Sequence, residues 1–152
     1  MFVRPCETPE DYGIARLLFQ EYERDLGFSL CFQGFAKELE TLDTMYGAAV
    51  GGLWLAERSG EPVGCVGLRR HNDRTGEVKR LYVRPESRGL GAGRALMTIL
   101  EERARHLGYT SLILDTMPTM VAAIGLYQSL GFALIHNPEP GAHALFMTKS
   151  LD

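Results

Sequence analysis

The densest chemical signal in the chain is the run Val83-Arg84-Pro85-Glu86-Ser87-Arg88-Gly89-Leu90-Gly91-Ala92-Gly93-Arg94. Three glycines at alternate positions lie between a strand-like segment and an amphipathic one. They predict a tight turn whose backbone N–H groups stay bare at the positive end of a helix dipole. Such a turn holds a phosphate or pyrophosphate. Metal chemistry has no comparable signal. Cys6, Cys31 and Cys65 form no C-x-x-C pair, and the histidines lack ligand spacing. His136 and His143 can face each other across a hairpin, but no cysteine or carboxylate cluster joins them. The expectation is no metal, with the cysteines as buried free thiols of a reducing cytoplasm.

The glycine spacing separates the phosphate motifs. A dinucleotide fold asks for G-x-G-x-x-G, and Asp115 even falls near where a ribose-binding acid is expected. Here the pattern is G-x-G-x-G followed by Arg94, and the strand before it belongs to an antiparallel series. A P-loop is excluded because no G-K-[ST] follows.

The elements that position the turn are legible from periodicity. Phe2 to Pro5 reads as an edge strand. Thr8-Pro9-Glu10-Asp11 supplies a cap, a first-turn proline and acidic residues for a helix that buries Ile14, Leu17, Leu18 and Tyr22 and ends at Gly27. A weaker helix is expected at 35–42, then a flexible connection at 46–52. Segments 53–57, 62–68 and 77–83 are strands joined by turns at 58–61 and 72–76, a meander leading into the glycine turn. Ala92, Ala95, Leu96, Ile99, Leu100 and Leu107 mark one face of a helix closed by Gly108. Segment 111–115 is a buried strand, so the helix is a crossover between parallel strands. Thr119 caps a further helix to Leu130, and strands at 133–136 and 143–149 close the chain.

Length and composition bound the rest. At 152 residues the chain is expected to be one domain, 1–152. A net charge of −3 argues against a nucleic-acid surface. No apolar run reaches transmembrane length and the first residues do not read as a signal peptide, so no membrane association is expected.

Read as Arg88-x-x-Gly91-x-Gly93, the turn matches the [QR]-x-x-G-x-[GA] signature of the GCN5-related N-acetyltransferases (GNAT). Glu77 to Pro85 resembles the strand before that signature, and Ala122-x-x-x-Leu126-Tyr127-x-x-x-Gly131-Phe132 resembles the family's second block. The resemblance implies an α/β fold of α+β type, with a mixed central sheet of about 6–7 strands and about four helices. It also implies acetyl-CoA as co-substrate. The pyrophosphate would lie on Arg88, Gly89, Leu90, Gly91, Ala92, Gly93 and Arg94. The pantetheine arm would pair with the edge of Leu81, Tyr82 and Val83, in the gap where that strand splays from 112–115. Arg84, Arg88 and Arg94 either add charge there or are solvated surface arginines. Thr119 stands where many relatives have asparagine, which puts any amide contact to coenzyme A in doubt.

The same resemblance suggests roles for two side chains. Glu77 stands where several members carry a general base, acting directly or through water; otherwise it pairs with Lys79 or Arg80. Tyr127 matches the tyrosine that protonates the leaving thiolate; it also fits a core aromatic beside Ile124 and Leu130. The implied enzyme is an N-acetyltransferase acting on the primary amine of a small molecule. A protein or peptide amine and a non-catalytic acyl-CoA sensor are the alternatives. Acceptor contacts are expected from 22–35, 46–52 and 137–143. There Tyr22, Phe28, Phe32 and Phe35, with Glu21, Glu23, Asp25, Glu77 and Asp115, could favour a cationic amine or merely pack the helices. A C-terminal edge strand makes a homodimer plausible.

Overall fold

The computed structural model describes residues 1–27, 30, 34–135 and 144–152. Strands β1 (Phe2–Pro5), β2 (Gly52–Arg58), β3 (Glu61–Arg70) and β4 (Thr75–Val83) pair antiparallel in sequence order. Strand β5 (Ser111–Thr116) joins β4 in parallel, as the crossover helix α4 (Ala92–His106) requires. Strands β6 (Ala133–Ile135) and β7 (Leu145–Ser150) complete a mixed sheet in the order β1-β2-β3-β4-β5-β7-β6.

Helix α1 (Pro9–Leu26) starts as its sequence dictates. The Thr8 hydroxyl accepts from the Asp11 N–H, and the Asp11 carboxylate accepts in return from the Thr8 N–H. Gly27 closes it at φ 76°, a conformation glycine reaches without steric penalty. The weaker helix expected at 35–42 divides in two, α2 (Phe35–Glu40) and α3 (Leu42–Met45). Thr41 sits between them, its hydroxyl bonded to the Lys37 carbonyl at 2.8 Å, a local bond that competes with the helical ladder. Tyr46 belongs to the core rather than to a flexible connection. Its ring lies where a Cβ on Gly67 would come within 2.5 Å, so β3 must carry glycine there.

Two cores flank the sheet. Val66, Leu68, Val78, Leu112, Leu114 and Met147 pack under α4 with Leu96, Met97 and Leu100. Leu53, Leu55, Cys65 and Tyr82 pack on the other face beneath α1–α3, with Leu18, Phe19, Phe35 and Tyr46. Val78 and Tyr82 are four residues apart on one strand yet face opposite cores. Simple alternation would put them on the same side. A bulge accounts for it: Cys65 pairs with Tyr82 and Gly67 with Lys79, so β4 spends one residue more than β3, and Arg80 takes φ 58°.

Two further expectations need correction. Thr119 does not cap the helix α5 (Val121–Ser129). Met120 holds the cap position without a side-chain bond, because its N–H closes a turn onto the Met117 carbonyl and draws Thr119 into that turn. The C-terminal strand is not an edge either: β7 inserts between β5 and β6, and β6 takes the edge. His136 and His143, the outer ends of the last two expected strands, lie outside the described residues, as do Phe28, Cys31 and Phe32.

Candidate active site

The glycine turn links β4 to α4 through a short 3-10 turn at Pro85–Ser87. Gly89 and Gly91 take φ 79° and 89°, and nothing lies within 4 Å of a Cβ built on either. Their glycines serve backbone conformation, not close packing. Gly93 differs: its Cβ would come to 3.0 Å from Leu126, so it lets α4 approach α5. The first bond of α4 runs from the Ala95 N–H to the Gly91 carbonyl at 3.0 Å. The N–H groups from Gly89 to Arg94 therefore have no backbone partner among the described residues. Bare N–H groups at the start of a fifteen-residue helix form an anion seat of roughly +0.5 charge.

That seat opens on a cavity of about 790 Å³. Of the residues expected to contact the co-substrate, Leu81, Tyr82, Val83, Arg88, Gly89, Gly91, Ala92, Gly93, Arg94 and Thr119 line it. Leu90 does not; its side chain points to solvent, 51% exposed. Tyr22, Asp25 and Leu26, from the segment expected to contact the acceptor, form part of this same wall, and sequence reasoning missed Ser87 and Met120 to Ala123 with Leu126 from α5. The i, i+3, i+4 spacing of Tyr22, Asp25 and Leu26 on one face of α1 was the signal that they share a wall.

The three arginines divide. Arg84 is bound by both oxygens of Glu21, at 2.9 and 2.8 Å, and donates to the Pro62 carbonyl, so it fixes β4 to α1 away from the cavity wall. Arg88 lines the cavity, its Nε on the Val83 carbonyl at 2.9 Å and its Nη2 on Asp25 at 3.1 Å. Arg94 lines it too, and bonds Ser129 Oγ at 2.8 Å, tying α4 to α5.

Glu77 stands at the fork of the sheet. The parallel pairing of β4 with β5 runs only from Thr75↔Ser111 to Glu77↔Ile113; beyond it the two strands share no ladder. The Glu77 carboxylate takes Arg69 Nε at 2.7 Å on Oε1, while Lys79 Nζ stands 3.9 Å from Oε2 and 3.3 Å from Asp115 Oδ1. Its main partner is Arg69, not the Lys79 or Arg80 anticipated. The result is a ladder of alternating charge, Arg69–Glu77–Lys79–Asp115, across three strands. With Glu21 on Arg84 and Asp25 on Arg88, four of the five carboxylates expected to attract a cation hold one already. Glu23 accepts from the Leu30 N–H.

Tyr127 is buried in the core under α5, its ring 5.7 Å from that of Phe132, and it is not on the cavity wall. Burial pushes its phenol well above the ordinary value, and Tyr22 and Asp115 push the same way. The Tyr127 hydroxyl has no hydrogen-bond partner among the described residues, which is uncommon for a buried polar group. No cluster of three or more histidine, cysteine or carboxylate groups suited to a metal occurs among the described residues, and no helix is long and apolar enough to cross a membrane.

The acetyltransferase (GNAT) family model matches residues 15–132. An uncharacterised N-acetyltransferase of Schizosaccharomyces pombe is 38% identical over 144 residues, 91% of this chain and 88% of that one. An IAA acetyltransferase of Azospirillum brasilense is 33% identical over 151 residues, 95% of both chains. The structure of an acetyltransferase of Salmonella typhimurium with its cofactor acetyl-CoA superposes at TM-score 0.74 with 22% identity, over 100% of this chain and 94% of that one. The chain belongs to the GNAT family. It is an N-acetyltransferase whose co-substrate is acetyl-CoA and whose acceptor is an amine.

Proposed function

We propose that this protein moves an acetyl group from acetyl-CoA to the primary amine of a small molecule in the cytoplasm, by direct attack on the thioester. The observation that carries the reading is the junction of a bare N–H turn, a 790 Å³ cavity and the fork between β4 and β5. The turn from Arg88 to Arg94 fits a pyrophosphate, and the unladdered edge of Leu81 to Val83 fits an amide-bearing arm. The co-substrate supplies an activated acyl carbon on a thiol leaving group of pKa near ~8.5.

The chain's own groups handle protons and charge. Glu77 Oε2, which Lys79 approaches no closer than 3.9 Å, takes the proton of the attacking amine directly or through a water. Strand N–H groups near Tyr82 and Val83 receive the negative charge that develops on the carbonyl oxygen. The Tyr127 hydroxyl, which has no hydrogen-bond partner among the described residues, gives its proton to the departing sulfur. The C–N bond forms as the C–S bond breaks, leaving an amide and free coenzyme A. Buried, unpaired Cys6 and Cys65 suit a reducing compartment.

Thiol release from acetyl-CoA across a panel of small amines, with Glu77→Gln beside the wild type, tests this. Amine-dependent release that falls on the order of 100-fold in Glu77→Gln supports it. Full acetyl-CoA binding without release for any amine would make the protein a sensor instead.

A further inference from the structure

We propose that the acceptor is a free α-amino acid with an apolar side chain, recognised as a zwitterion at the ladder Arg69–Glu77–Lys79–Asp115. The proposal rests on the acetyltransferase reading above and names its acceptor class.

The ladder carries two positive and two negative groups, so its charges cancel. A plain ammonium arriving there adds an uncompensated positive charge beside Lys79, whose side chain is only 7% exposed. A zwitterion adds no net charge, and the ladder can open and reclose on it. Two atoms are placed for this. Arg69 commits Nε to Glu77 and Nη1 to the Met45 sulfur, leaving Nη2 without a partner among the described residues on a side chain 32% exposed. That edge suits a carboxylate. Glu77 Oε2 has no cation within hydrogen-bond distance and suits the amino group. Arg69 and Glu77 are directly opposed on adjacent strands, and the two ends of an α-amino acid are only two bonds apart, so one molecule reaches both.

The neighbouring surface accounts for the side chain. On the same sheet face, Ile113 is the register partner of Glu77, and Phe146 is the partner of Asp115. Phe146 is 38% exposed and Ile113 half-buried, an apolar shelf at the ladder's β5 end.

The test compares kcat/KM for L-leucine, L-leucinamide, 3-methylbutylamine, spermidine and a short peptide amino terminus, with acetyl-CoA as donor. Leucine should exceed its amide and its decarboxylated amine by at least about tenfold, the discrimination that an unpaired recognition group imposes. Arg69→Gln should bring that ratio close to one, and Arg69→Lys should keep part of it. Acetyl-CoA affinity should stay within about twofold in both, because Arg69 is not on the donor cavity wall. Leucine titrated into coenzyme A-saturated protein should give binding heat that Arg69→Gln loses. Equal or better turnover of amide, amine, spermidine or peptide overturns the proposal and leaves the acetyltransferase reading standing. So does a ratio unchanged in folded Arg69→Gln. Failure to bind acetyl-CoA at all would overturn the donor site itself.

Discussion

Arg80 of β4 and Glu38 of α2 form a doubly hydrogen-bonded ion pair, Nε to Oε2 at 3.0 Å and Nη2 to Oε1 at 2.8 Å, with side chains 4% and 1% exposed. Tyr46 donates to the same carboxylate at 2.8 Å, and the guanidinium lies 5.3 Å from the Phe35 ring centre and 6.0 Å from that of Tyr22. The pair holds a residue at φ 58°, which the backbone of a non-glycine residue resists by about 1–2 kcal/mol. It thereby fixes the bulge that turns Leu81 and Tyr82 to opposite faces of the sheet, Leu81 toward the core under α4 and Tyr82 toward α1.

Breaking that pair on one side leaves a buried charge unmatched. Glu38→Ala should cost roughly 3–5 kcal/mol, read as a fall in the denaturant midpoint. Replacing both partners, Glu38→Met with Arg80→Met, should recover most of the loss in stability but not in acetyl-CoA affinity, because the force holding the bulge has gone. Equal affinity in the double variant would show that the bulge holds itself.

Most of the scaffold was legible in the sequence. Thr8 and Asp11 gave the start of α1, Gly27 and Gly108 the ends of α1 and α4, and the glycines from Gly89 to Gly93 a turn with bare N–H groups. What escaped was long-range. Nothing local marks Arg80 for a left-handed bulge, since its partner Glu38 lies 42 residues away. The partner of Glu77 was missed because Arg69 is its neighbour only once β3 and β4 are in register. Thr119 has the right chemistry for a cap, but the Met117–Met120 turn claims the position.

Tyr127→Phe separates packing from chemistry. The aromatic ring stays beside Phe132, so the melting temperature should change little. Turnover should fall on the order of 100-fold while acetyl-CoA affinity stays within about threefold. Unchanged kcat would make Tyr127 a core residue and nothing more.

Acid should loosen the molecule at two carboxylates. The N–H of Glu7 and the Arg4 guanidinium hold Asp11 down to about 2 from 3.8, against the opposing effect of burial. Burial alone would push Glu38 up, but the hydrogen bonds and charge of Arg80 overcome it and keep its carboxyl below the ordinary value. Both folded values lie below the unfolded ones, so their stabilisation is complete above about pH 4–5 and is lost as pH falls from there toward 2. Denaturant midpoints from pH 7 to 2.5 should drop over that window. In Asp11→Asn the drop should shrink, with about 1 kcal/mol of stability lost at pH 7 through the weakened capping box. An acid transition of undiminished size in Asp11→Asn would remove Asp11 from the account.

The donor seat is tested most directly by calorimetric titration of acetyl-CoA into wild type, Gly91→Ala and Gly60→Ala. Gly91 and Gly60 share the left-handed conformation, at φ 89° and 80°, with nothing within 4 Å of an added Cβ. Only Gly91 belongs to the N–H turn on the cavity. An alanine there should let the turn relax, so that binding must restore it at about 1–2 kcal/mol, roughly a tenfold weaker Kd. Gly60→Ala, strained in the β2–β3 hairpin, should lose comparable stability and bind as wild type does. Equal affinity in Gly91→Ala and wild type would contradict the assignment of this turn as the seat of the acetyl-CoA pyrophosphate.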